Sequence, residues 1–110
     1  MAARSRTSEQ DLDQLTSVFR LLADKTRLHI LLLLASGERN VTSLCDQLEL
    51  PQPTVSHHLS LLRLHNVIAN RRKGKRVYYT IDPSINIGDA TSMQIGVDRY
   101  NVQIAAKSGK

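Results

Sequence analysis

Pro51 and Pro53 stand two positions apart in the run Leu50-Pro51-Gln52-Pro53, between two stretches of helical periodicity. Proline inside a helix removes a backbone donor and clashes with the preceding turn, so no helix runs through this point. In the first turn of a helix it is tolerated, because the N–H it lacks has no partner there. The pair predicts a short helix before the break and a new one at it. Upstream, Val41, Leu44, Cys45 and Leu48 recur at helical spacing behind Asn40, a good N-cap. Downstream, Val55, Leu59 and Leu62 line one face of residues 54–64, with His58 on its flank. Ser56, His57 and Ser60 point broadly the other way. His65-Asn66 closes this helix, since asparagine tolerates a left-handed backbone.

The hydrophobic period then switches from that of a helix to that of a strand. Residues 67–72 and 76–81 flank Lys73-Gly74-Lys75, and Val77, Tyr79 and Ile81 alternate on one face. This predicts a β-hairpin with a basic tip. Two helices precede the proline break. Residues 9–23 carry Leu12, Leu15, Phe19 and Leu22 on one apolar face. Residues 25–35, behind Asp24 as N-cap, are apolar on most sides, which predicts the central helix, with Gly37 as a left-handed cap after it. Beyond a loop at Gly88, Met93, Val97, Tyr100 and Ile104 recur at i, i+4, i+7 and i+11 and read as a last amphipathic helix.

The expected fold is mainly α with a β-hairpin wing. It is a winged helix-turn-helix of four helices, a two-stranded wing and a C-terminal helix. Residues 1–8 read as a loose basic arm, 9–106 as a single domain and 107–110 as a tail. Within the domain, 41–65 form the helix-turn-helix and 67–81 the wing, while 9–23 and 89–106 are the first and last helices.

Charge is concentrated on the same stretch. From Leu50 to Ile81 there is no Asp or Glu, and six cations: Arg63, Arg71, Arg72, Lys73, Lys75 and Arg76. The rest of the 110-residue chain holds nine basic and ten acidic residues, so the net charge of +5 is localised here. Such a segment attracts polyanions. Short polar side chains on the helix after the prolines let its backbone enter a DNA major groove, roughly 12 Å wide, and its N-terminus offers free N–H groups to phosphate. The candidate DNA-contacting residues are Gln52, Thr54, Ser56, His57, Ser60, Arg63, Arg71, Arg72, Lys73, Lys75 and Arg76. A protein-interaction module on the same fold is the alternative, and would be expected to replace the wing charges.

Other classes are disfavoured. The longest apolar run, residues 30–35, is far short of the roughly 20 residues of a membrane span. No apolar stretch follows Arg4 and Arg6, so no secretory leader is expected. Cys45 is the single cysteine, which suits a reduced, cytoplasmic protein. No nucleophile–base set or Gly-rich phosphate loop is visible, and the chain is not expected to be an enzyme or to carry a cofactor.

Three runs resemble signatures of the ArsR/SmtB family of small bacterial repressors: residues 19–28 (FRLLADKTRL), residues 53–63 (PTVSHHLSLLR) and residues 73–79 (KGKRVYY). Their order and spacing match as well. The resemblance implies a homodimer that binds a double-stranded DNA operator and releases it when an inducer binds. It places the dimer interface on the first and last helices, which here offer Leu12, Leu15, Phe19, Met93, Val97, Tyr100 and Ile104. It also implies that His57 faces DNA and that His58 packs or caps. Many members bind metal through a Cys-x-Cys where this chain has Asn40 and Thr42, and some arsenic sensors add a third cysteine where Cys45 stands. A second family site needs Asp-x-His, and Asp89-Ala90-Thr91 lacks the histidine. No metal site is therefore expected, and no inducer is assigned. One thiolate is a poor soft-metal site. Cys45 is expected to be a small core residue, with a thiol or redox switch as the alternative reading.

Overall fold

A computed structural model of the chain describes residues 7–88 and 92–107. Residues 1–6 of the expected arm at 1–8, the end of the tail at 108–110 and Asp89-Ala90-Thr91 lie outside the described residues. Helix α1 (Glu9–Leu22) starts at a capping box. Ser8 Oγ accepts from the Asp11 N–H at 3.0 Å, and the Asp11 carboxylate accepts from the Ser8 N–H at 3.1 Å. Helix α2 (Lys25–Ala35) is capped by Asp24, whose carboxylate accepts from the Arg27 N–H. A short strand β1 (Arg39–Asn40) leads into α3 (Val41–Leu48), capped by the Asn40 side chain. Glu49 ends α3 in a left-handed conformation, φ 57°. The break falls at the prolines. Pro51 is the N-cap of α4 (Gln52–Leu64) and Pro53 sits in its first turn.

Strands β2 (Ile68–Lys73) and β3 (Arg76–Ile81) form the wing hairpin, with Lys73 opposite Arg76 and Gly74 at φ 63° in the turn. β1 pairs with β3 on its other side, Asn40 opposite Tyr78, so the expected two-stranded wing is a three-stranded sheet in the order β1-β3-β2. One face of β2 and β3 carries Ile68, Asn70 and Arg72 against Ile81, Tyr79 and Val77. Ile81 is buried and Tyr79 packs on the core, so this face looks inward at its base. The other face carries Arg71, Lys73, Arg76 and Tyr78.

The core is aliphatic. Ile30 and Leu31 of α2, Leu44 of α3, and Val55, Leu59 and Leu62 of α4 are buried, with Val67 beneath the wing. Truncating any of these leucines to alanine costs about 2–5 kcal/mol by lost transfer energy plus cavity. α2 is central but not buried all round. His29 is exposed and Leu32 is 49% exposed.

The expected C-terminal helix is absent from the described residues. A second antiparallel sheet stands there, with β4 (Asn86–Ile87), β5 (Ser92–Val97) and β6 (Tyr100–Ala105) in that order. The register pairs Met93 with Ile104, Ile95 with Val102 and Val97 with Tyr100. The physical reason lies in two residues that the helical pattern skips. On a helix Ile95 falls about 200° round from Met93 and has no apolar face to join. On a strand Met93, Ile95 and Val97 share one face, and all three are buried, as is Val102 opposite. Asp98, φ 55°, and Arg99 make the two-residue turn between the strands.

Candidate nucleic-acid interface

The helix after the proline break presents its polar residues to solvent. Gln52, Thr54, His57, Ser60 and Arg63 are exposed and Ser56 is half-buried, while Val55, Leu59 and Leu62 anchor the opposite face. Leu64, also on the outer side, is exposed. The anchoring extends to the start of α2. Arg27 donates from its terminal nitrogen to His58 Nδ1 at 3.2 Å and from Nε to the Leu21 carbonyl at 2.7 Å. Asp24 lies 4.0 Å from the same His58 nitrogen. His58 thus ties α4 to the junction of α1 and α2. The adjacent His57 ring is set edge-on to it at 5.6 Å and faces outward.

A groove of about 330 Å³ joins the helix to the wing. It is lined by Asn40, Val41, Thr42, Gln52, Lys75, Arg76 and Val77. The fold thereby sets the first residue of α4 and the wing tip on one groove, and adds Asn40 and Thr42, which the periodicity marked only as the start of α3. A separate hollow at the far end of α4 is lined by Ser60, Arg63, Leu64 and Asn66.

The cations are not equivalent. The side chains of Arg63 on α4 and of Arg72, Lys75 and Arg76 on the wing have no hydrogen-bond or ion-pair partner among the described residues. Arg71 and Lys73 do. Glu38, between α2 and β1, accepts from Arg71 Nε at 2.9 Å and from Lys73 Nζ at 3.3 Å. These contacts, the Arg71 hydrogen bond foremost, hold the Glu38 carboxyl below the usual carboxylate range, and Glu38 in turn raises Arg71. Lys73 Nζ also sits 5.1 Å above the Tyr78 ring. Glu38 escaped the sequence reading because it lies 33 residues from Arg71 and outside the acid-free stretch. No short-range pattern signals such a contact.

The residues expected at a dimer interface divide. On α1, Leu12 and Phe19 are 49% and 55% exposed, and Leu15 is half-buried between them. Met93 and Val97, at 2% and 6% exposure, belong to the core of the protomer itself. Tyr100 and Ile104 are half-buried. α1 and the C-terminal hairpin do lie together. The Tyr100 hydroxyl bonds the Thr7 hydroxyl, and Arg99 Nε stands 3.7 Å from the Asp11 carboxylate. Cys45 packs, half-buried, against the core. Among the described residues no three of His, Cys, Asp and Glu gather where they could hold a metal ion, and no helix is long and apolar enough to cross a membrane.

Known proteins share this arrangement. Residues 24–68, from the cap of α2 into the first residue of β2, match the family described as bacterial regulatory protein, arsR family. The solution structure of the homodimeric winged helix-turn-helix DNA-binding domain Mb0332 from Mycobacterium bovis, a possible ArsR-family regulator, is 35% identical. The likeness covers 73% of this chain and 77% of that one, with a TM-score of 0.63. The chain belongs to the arsR family. Among curated arsR-type relatives, the arsenical resistance operon repressor of Escherichia coli is 46% identical over 69 residues, 62% of this chain and 59% of that protein. The transcriptional repressor SdpR of Bacillus subtilis is 32% identical over 71 residues, 64% of this chain and 79% of that protein. The chain therefore spans little more than half of the Escherichia coli relative. Sequence likeness to arsR proteins is concentrated on the helix-turn-helix, and the matched family segment stops before the second sheet.

Proposed function

We propose that the chain is a homodimeric, sequence-specific transcriptional repressor that binds an inverted-repeat DNA operator. The groove joining Gln52 to Lys75 and Arg76 carries this reading, because it makes one continuous surface of α4 and the wing tip. α4 enters the major groove with Gln52, Thr54 and His57 toward base edges, and Ser56 and Ser60 short enough to allow close approach. Arg63 and the wing residues Arg71, Arg72, Lys73, Lys75 and Arg76 take the flanking phosphates. Repression is supported by relatives that are named as repressors. Dimerisation is supported by the exposed Leu12 and Phe19 on α1 and by the homodimeric Mycobacterium bovis relative. A two-fold axis then sets the two α4 helices about 34 Å apart, one turn of DNA. The protein acts in the cytoplasm, where its operator is.

The test separates phosphate from base contacts. Replacing Arg72, Lys75 and Arg76 together by Ala is expected to weaken binding to every duplex alike. The slope of log K against log salt should flatten by about 0.9 for each phosphate that is no longer neutralised. An unchanged slope removes the wing from the interface. His57→Ala or Thr54→Ala is expected instead to reduce discrimination between operator and random duplex, by about 1–3 kcal/mol per base pairing removed. Undiminished discrimination in both variants takes α4 out of base reading.

A further inference from the structure

Glu38 is the only acidic side chain that touches the wing among the described residues, and it touches two of the cations assigned to phosphate. Both oxygens are used. Oε2 accepts from Arg71 Nε at 2.9 Å, while Oε1 faces Lys73 Nζ at 3.3 Å and the second Arg71 nitrogen at 3.5 Å. Arg71 and Lys73 lie two apart on β2 and so project from the same, outward face of the wing sheet. A carboxylate held by a guanidinium fork and an ammonium has the geometry with which the same groups hold a phosphate. Glu38 is also the better shielded member, at 24% side-chain exposure against 63% for Arg71 and 50% for Lys73. The cations can swing to another anion while the carboxylate stays beside the sheet.

We propose that Glu38 is a built-in competitor for the DNA backbone. It occupies Arg71 and Lys73 in the free protein, and phosphate must displace it on binding. The inference rests on the DNA reading above and adds a regulatory contact to it. With Glu38 in place, the three groups carry a net charge of +1. Without its charge they carry +2 and hold more solution counterions, which DNA binding then releases. Glu38 thereby lowers non-specific affinity, so that binding depends more heavily on the base contacts of α4.

The experiment measures binding of the full chain to a mixed-sequence DNA duplex over a salt series, for wild type and Glu38→Gln. Glutamine keeps the shape and removes the charge, and a thermal melt checks that the variant folds. The expected result is severalfold tighter binding at low salt, with a slope of log K against log salt steeper by up to about one unit per wing. Weaker binding would show that Glu38 positions Arg71 for DNA rather than competing with it, and overturns the proposal. So does an unchanged slope. The same substitution is then made in an Arg71→Ala, Lys73→Ala background, where an effect that works through these side chains disappears. If the tighter binding persists there, Glu38 acts through the general field and not by holding these side chains, and the proposal fails. Wild-type protein that binds no duplex at all overturns the DNA reading and this inference together. Wild type that binds and a Glu38→Gln variant that behaves identically overturn this inference alone.

Discussion

At the residue scale, the helix ends are set by side chains that sequence position alone identifies. Asp24 and Asn40 cap α2 and α3 as their chemistry predicts, and Asn66 takes the expected left-handed turn, φ 59°. Glu49 takes the same conformation, φ 57°, although nothing in a glutamate favours it. The proline break forces the chain to turn there. Among the described residues three carboxylates are held below their usual range. Asp11 is lowered chiefly by the Ser8 N–H, Asp24 by the Arg27 N–H and Glu38 by Arg71. Each binds its proton more weakly folded than unfolded, so each contributes stability that is fully present above its unfolded pKa, about 4. That contribution is lost as pH falls through the lower, folded value. Denaturant midpoints are therefore expected to hold steady from neutrality to about pH 5 and to fall on further acidification. In Asp24→Asn, which retains a capping oxygen but no titrating group, the fall should be shallower. An equal fall in the variant would show that Asp24 is not among the groups responsible.

At the element scale, the helix-turn-helix and the wing follow from local rules, and the C-terminal region does not. Two prolines two positions apart permit a single outcome between helical patterns. The basic hairpin is announced by alternation around a glycine, and Gly74 adopts φ 63° in its turn. In residues 92–105, Met93, Val97, Tyr100 and Ile104 satisfy a helical period and a strand hairpin equally well. Ile95 and Val102 break the tie, because only the hairpin buries them. Ile95→Ala is therefore expected to destabilise the protein by about 2–4 kcal/mol in urea denaturation. A helical segment with Met93 and Val97 inward would leave Ile95 on its far side, and the same substitution would then be nearly neutral. The three-stranded wing has a related origin. Arg39 and Asn40 show no strand pattern, and they pair with β3 because the end of α2 delivers them to its free edge.

At the scale of the whole molecule, replacing the last helix by a hairpin changes what is left for a partner chain. Met93 and Val97 are spent on the protomer's own core, so of the residues expected at a dimer interface only Leu12 and Phe19 of α1 remain largely exposed. Leu12→Ser combined with Phe19→Ser is expected to convert a dimer into a monomer in sedimentation at micromolar concentration, with circular dichroism unchanged. A variant that remains dimeric moves the interface away from α1. The localised positive charge, the helix after the prolines and the basic hairpin beside it were all readable in the order of residues. They depend on neighbours a few positions apart, and local periodicity and backbone chemistry act over that range. Glu38 against Arg71, the groove shared by Gln52 and Lys75, and the choice between helix and hairpin at residues 92–105 were not readable in that way. The first two join groups more than twenty residues apart, and the third turns on which face α1 and α2 leave open. Relations of that kind exist only after the elements have packed.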